Sequence, residues 1–313
     1  MEQVSDSVFR QILIQTGKPD LFFTEFVNVE GLVSRGRKNI IHRLQFTPQE
    51  TPIIAQIWGK NPDNFYTIAT QIASMGFAGI DINMGCPERG IVKRGCCAGY
   101  INNPEEASAV IAATKAGAGH LPVSVKTRCG TNSWVTEEWA SHLLQQNLAA
   151  LTIHGRIAKD MSTKPADWDE IAKVVALRDN LAPNTKIIGN GDIESYREGL
   201  EKIANYNLGG VMIGRGIFTN LWIFNPEIDP LTITHTQKLQ LLYDHLKLYN
   251  QTWGESKNFD QMKKFYKCYI NDLPHATDIR SSLMERHTAH ETLDFLETLI
   301  VDLASGNSDL GQP

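Results

Sequence analysis

From Leu21 to Gly214, short apolar runs rich in β-branched residues recur along the chain. Each is followed by a polar loop and then a longer stretch with apolar residues at helical spacing. Seven runs read as strands: Leu21–Asn28, Pro52–Trp58, Gly79–Asn83, Pro122–Arg128, Ala150–His154, Lys186–Asn190 and Gly209–Ile213. This alternation predicts βα units around a parallel sheet. A closed (β/α)8 barrel takes eight parallel strands, yet the chain opens with Ser5–Gln15, which reads as a helix capped at Ser5 or Asp6. The expected fold class is therefore α/β, a (β/α)8 TIM barrel with its first strand missing, upstream of Met1. An open, doubly wound seven-stranded sheet is the competing architecture. After Pro226 the strand signal stops, and Thr236–Trp253, Phe259–Asn271 and Ser281–Ser305 carry amphipathic helical patterns. The predicted organisation is a barrel over 1–228, a C-terminal helical bundle domain over 229–305 and a short polar tail, expected to be disordered, over 306–313.

Composition changes this picture little. The 313 residues are 42% hydrophobic and 21% charged, ordinary for a globular chain. Apolar stretches are broken well short of the roughly 18 residues a membrane span needs, and no signal peptide is evident, so a cytoplasmic location is expected. A net charge of −5 removes any global basic signature, leaving a nucleic-acid partner to local patches. Two are visible: Arg35, Arg37, Lys38 and Arg43, and then Lys257, Lys263, Lys264, Lys267, Arg280 and Arg286 in the helical region. Five cysteines, an odd number with no secretory signal, point to reduced thiols. Cys86, Cys96 and Cys97 include no Cys-x-x-Cys pair, so no metal site is expected.

Chemistry collects at the carboxyl ends of the strands, where barrels of this kind hold their active sites. Gln56, Asn83, Cys86, Lys126, Arg128, His154 and Arg156 stand there, followed by Asn190, Gly191 and Asp192, then Gly214 and Arg215. The last two loops, GNGDI and IGRG, set glycine backbone and the Arg215 cation where phosphate binds in such barrels, predicting a phosphate-bearing ligand. Lys126, deep in a strand, is the cation one would set against the N1/O2 edge of a reduced flavin. In NMGCP, a rigid turn aims the Asn83 amide and the Cys86 thiol together. With an ordinary thiol pKa of about 8.5, Cys86 would be mostly protonated at neutral pH and able to act as a general acid.

In combination and order these motifs resemble the tRNA-dihydrouridine synthases. MEQVSDSVFR is similar to the family's opening without its proline and first strand, DINMGCP to its active-site loop, VKTRCG to its lysine strand and TIHGR to its histidine strand. GNGDI and GVMIGRG are similar to its phosphate loops, and KKFYKCYINDLPHATDIRSSLM to the tRNA-contacting part of its helical domain. The chain departs from the family pattern at Arg94–Ile101 (RGCCAGYI) and at Ile157 and Met161. The resemblance implies FMN as bound cofactor, NADPH or NADH as reductant, tRNA as substrate and reduction of the C5–C6 bond of a flipped uridine. It makes Cys86 the proton donor and assigns FMN to Met1, Glu2, Gln56, Lys126, His154, Asn190, Gly191, Asp192, Gly214 and Arg215. Asn83, Arg156, Lys159 and Arg280 would contact the substrate.

Two other readings compete. A flavin barrel acting on a free pyrimidine or another small enone would have no need of residues 231–305. A barrel that only binds RNA would have no need of Cys86, Lys126, His154 and Arg215 together. A monomer is expected, with barrel and helices covering each other's apolar faces.

Overall fold

The computed structural model describes residues 1–305; the segment read as a tail lies outside the described residues. All seven runs become strands of one parallel sheet: β1 (Phe22–Phe23) and β2 (Val27–Asn28), both from the first run, then β3 (Ile53–Trp58), β4 (Gly79–Met84), β5 (Val123–Arg128), β6 (Ala150–His154), β7 (Lys186–Asn190) and β8 (Gly210–Met212). The order is β1-β3-β4-β5-β6-β7-β8, with β2 also on β3, and every pairing is parallel. The first run splits because the Thr24 hydroxyl accepts from the Gln56 backbone N–H at 3.0 Å, in place of a ladder carbonyl. No strand joins β8 to β1 among the described residues. The sheet is a barrel wall open between β8 and β1. Consistent with that edge, β8 is half-buried throughout, whereas every residue of β4 is buried.

Crossover helices cover the outer face. The helix Pro62–Ala73 starts at Asn61, whose side chain accepts from the Asp63 N–H, and it buries Phe65, Ile68, Ala69 and Ile72, one apolar stripe at helical spacing. Trp168–Leu181 is capped by Asp167 in the same way and buries Trp168, Ile171, Val174 and Val175. With the outer face packed on helices, polar side chains can gather on the inner face without unsealing the core.

The compact units do not follow chain order. One comprises Met1–Ser7 with Pro19–Arg215; the other comprises Val8–Lys18 with the described residues from Gly216. In the second unit, Phe9 of the first helix (Ser7–Thr16) lies 5.0 Å from Phe265 and 5.7 Å from His245, centroid to centroid, and the Thr16 hydroxyl donates to the Leu221 carbonyl at 2.6 Å. The helix His235–Trp253 follows its predicted span closely. The stretch Phe259–Asn271 is a 3-10 turn (Phe259–Phe265) running into the helix Tyr266–Ile270, and the last predicted helix is two, Ala276–Glu285 and Ala289–Ala304. That last break has a local cause: the Thr288 side chain accepts from the Glu291 N–H and starts a new helix.

Candidate active site at the carboxyl ends of the strands

Parallel register sets the inward-facing side chains in rows. Gln56, Asp81 and Ser124 stand abreast; one level higher come Asn83, Lys126 and Thr152; at the top are Arg128, His154, Asn190 and Met212. Because strand side chains alternate faces, Asp81 and Asn83 share one side of β4 while Ile80, Ile82 and Met84 take the other.

The loop after β4 is built around Asn83. Its side-chain oxygen accepts from the N–H groups of Gly85 and Cys86, both at 3.0 Å, and its Nδ2 donates to Gln56 Oε1 at 3.2 Å. From the next strand, Arg128 Nε donates to the Gly85 carbonyl at 2.8 Å. Cys86 is half-buried at the crest of this loop. The divergent segment Arg94–Ile101 folds beneath it: Cys97–Asn102 form a 3-10 turn, the Ala98 N–H donates to the Cys86 carbonyl at 3.3 Å, and Tyr100 Oη donates to the Gly59 carbonyl at 2.9 Å. Cys97, with φ of 51°, is fully buried, and its thiol acts on the ionisation of Cys86. That influence, helped by the backbone at Glu88 and by Arg128 against the effect of burial and of Glu2, brings the Cys86 thiol down to about 7. The Cys86 thiol thus lies below the ordinary value expected from sequence.

Below the loop, the Asp81 carboxylate is fully buried and accepts from Ser124 Oγ at 2.6 Å and Gln56 Nε2 at 2.8 Å. Burial pushes it up to about 6, against the pull of Ser124, Gln56 and the nearby Lys126. Burial and Arg128 bring Lys126 down to about 8, while Asp81 and Cys86 act to keep it charged. Lys126 is half-buried, and among the described residues its ammonium has no hydrogen-bond or ion-pair partner.

The loops after β6 and β7 lock together. Arg156, 3% exposed, donates through Nε to the Lys164 carbonyl at 2.5 Å, through Nη1 to His154 Nε2 at 2.9 Å and through Nη2 to Asp192. Asp192 also accepts from the Ala166 N–H at 2.8 Å and from Arg215 at 3.3 Å; although burial opposes it, these partners hold its carboxyl below the usual range. Burial, then Lys126, Arg128, Arg156 and Arg215, drive His154 down to about 2, so the ring is neutral and accepts from Arg156. Four cations around one neutral ring make the mouth electropositive despite the chain's net negative charge. Asn190 Nδ2 donates to the Met212 carbonyl at 2.8 Å, and Gly191, at φ 136°, passes so close that a Cβ would lie 2.5 Å from the Ala166 Cβ. A Cβ on Gly214 would meet nothing within 4 Å, leaving its backbone approachable.

The other expected residues lie further out. Glu2 pairs with Arg43 at 2.7 Å and is close enough to Cys86 to act on its charge, and the Met1 amino group donates to Ser5 Oγ at 2.5 Å. Lys159 is exposed on a 3-10 turn after β6, and Arg280 is exposed on the helix Ala276–Glu285 of the other unit. Of the first basic run, Arg43 is engaged by Glu2, and Arg37 donates to the Leu32 carbonyl at 3.1 Å and Gln71 at 2.8 Å. In the helical unit, Lys263 pairs with Asp260 at 2.8 Å, Lys257 sits 3.5 Å from the Trp253 ring centroid, and Lys264, Lys267 and Arg280 are exposed. Sequence reading missed Asp81, Ser124 and Cys97. The signal for the first two was present, a carboxylate and a hydroxyl at alternate positions in otherwise apolar strands; nothing local marked Cys97 as the partner of Cys86.

All five cysteines are free thiols, no group of three or more His, Cys, Asp or Glu could hold a metal among the described residues, and no described helix is long and apolar enough to cross a membrane. A parallel α/β-barrel wall with a thiol, a poised lysine and an electropositive rim at its strand ends defines an enzyme rather than a binding scaffold. A family model described as dihydrouridine synthase matches residues 1–305. A probable tRNA-dihydrouridine synthase of Staphylococcus aureus (strain COL) is 41% identical over 302 residues, covering 95% of this chain and 90% of that protein. Probable tRNA-dihydrouridine synthase 2 of Bacillus subtilis (strain 168) is 39% identical over 302 residues, covering 95% and 91%. Among solved structures, a variant of NCR from Zymomonas mobilis superposes with a TM-score of 0.46 at 14% identity, covering 71% of this chain and 81% of its own. The chain belongs to the dihydrouridine synthase family.

Proposed function

We propose that this protein is a cytoplasmic, monomeric tRNA-dihydrouridine synthase that binds FMN, takes its electrons from NADPH and reduces the C5–C6 bond of a uridine in tRNA. The observation that carries the reading is the pairing, at one end of one sheet, of the Cys86 thiol with the unpartnered Lys126 ammonium beneath it. FMN, when bound, supplies the hydride that reaches C6 of the uracil.

The chain's own residues do the rest. Lys126 would hold the flavin at its N1/O2 edge, where a cation stabilises accumulating negative charge. Gln56, His154 and Asn190 would line that ring, with Met1 and Glu2 at its edge, and Gly191, Asp192, Gly214 and Arg215 would hold the phosphate end, Asp192 by orienting Arg215. Cys86 donates its proton to C5, leaving a thiolate that takes a proton back from solvent. Asn83 holds the flipped base while its oxygen keeps the Cys86 loop in shape. Arg156 acts through His154 and Asp192, whereas Lys159 and Arg280 meet tRNA phosphates.

The test is direct. Purified protein should show flavin absorption bands, and with NADPH it should form dihydrouridine, read by mass spectrometry, in tRNA lacking the modification. Cys86→Ala should keep the bands and lose on the order of 100-fold in turnover. Absence of flavin bands even after FMN is added, or undiminished dihydrouridine from Cys86→Ala, would overturn the assignment.

A further inference from the structure

We propose that Asp81, fully buried and away from the expected ligands, is a positioning residue that sets the Cys86 loop through the side-chain amides of Gln56 and Asn83. An ionised carboxylate only accepts, so the Gln56 amide must turn its NH2 toward Asp81, at 2.8 Å. Its oxygen then points the other way and receives the Asn83 NH2 at 3.2 Å. The Asn83 oxygen is thereby left facing the N–H groups of Gly85 and Cys86, each at 3.0 Å. Two side-chain amides that could each point either way are locked in one orientation by a single acceptor at the base of the row. The loop's two backbone hydrogen bonds, and with them the approach of Cys86 to Cys97, depend on that choice. Ser124, donating to the other Asp81 oxygen at 2.6 Å, fixes the carboxylate plane. Asp81 thus reaches the reacting atoms through two intermediaries and touches none of them.

The proposal rests on Cys86 being the reactive thiol of this site, and its test needs no turnover. The rate at which iodoacetamide alkylates Cys86 is followed against pH in the full-length protein with its flavin bound, with peptide mass mapping to separate Cys86 from the other four thiols. Asp81→Ala should raise the midpoint of that profile by up to about one pH unit, since a misaligned loop carries Cys86 away from the Cys97 thiol that favours its ionised form. Asp81→Asn should leave the midpoint near wild type, because its amide oxygen can still accept from Gln56 while the Ser124 hydroxyl rotates to accept from the new NH2. Gln56→Leu, which cuts the relay one step higher, should reproduce the Asp81→Ala shift, and the double variant should shift no further. Should Asp81→Ala not fold, Gln56→Leu alone carries the test. An unmoved midpoint in folded Asp81→Ala or Gln56→Leu, full additivity of the two, or an Asp81→Asn as damaged as Asp81→Ala would each overturn the relay. Formation of dihydrouridine by the unaltered protein is assayed apart from these alkylation profiles, so failure of this proposal and failure of the functional assignment are read separately.

Discussion

In the proposed reaction Cys86 is the proton donor, and a second thiol has the largest effect on its ionisation. The Cys97 thiol favours the Cys86 thiolate and brings the group to about 7. A donor must hold its proton, so the rate of the uridine-reduction half-reaction is expected to fall as pH rises through about 7. Cys97→Ala removes that thiol, and the fall should then move to higher pH, as stopped-flow oxidation of reduced flavin by tRNA would show. Gly191 makes the opposite kind of demand, on space and backbone. At φ 136°, with Ala166 2.5 Å from where a Cβ would stand, Gly191→Ala should lose about 2–4 kcal/mol of stability in urea denaturation. Asp81 shows why the most consequential buried group was the hardest to rank from sequence. A carboxylate inside an apolar strand is visible there, but its partners lie 25 and 43 residues away along the chain.

Among the elements, the strands followed their sequence pattern closely, because a strand covered by helices needs apolar residues in a short, recognisable run. The exceptions have local causes that tertiary contact or capping decides. The first run breaks where Thr24 offers its hydroxyl to the next strand, a contact that exists only once β3 is in place. The last predicted helix breaks at Thr288, where a threonine followed three residues later by Glu291 carries the start signal of a new helix within the sequence itself. Thr288→Ala should cost about 1 kcal/mol and unfold the Ala289–Ala304 helix at its first turn, measurable as faster amide exchange confined to that segment. Arg156 and Asp192 belong to this scale as well. They join the β6 and β7 loops, so the expectation that Arg156 simply meets substrate gives way to a guanidinium engaged by three protein partners.

For the whole molecule, a chain of net charge −5 must hold an anionic polymer through chosen surfaces. Arg37 and Arg43 of the first basic run are engaged within the protein, whereas Lys267 and Arg280 stand exposed in the helical unit. Arg280→Ala is expected to weaken tRNA binding and to reduce the slope of log K against log salt by about one, leaving the flavin spectrum unchanged. An unchanged slope would remove Arg280 from the tRNA surface. The first helix, read as the barrel's opening element, groups instead with the helical unit, where Phe9 packs on Phe265 and His245.

By itself the sequence determined the parallel βα wall, the helical character of the region beyond it and the row of Gln56, Asn83, Cys86, Lys126 and His154 at the strand ends. It could do so because strand periodicity and position along a strand are local properties, legible in a few consecutive residues. Only the tertiary structure decided that Cys97 lowers the Cys86 pKa, that Asp81 orients two amides beneath it, that Lys126 stands without a partner and that Arg156 is occupied by His154 and Asp192. Those are facts of burial and of contact between segments distant in the chain, and a pKa or the direction of an amide depends on what surrounds a group rather than on what precedes it.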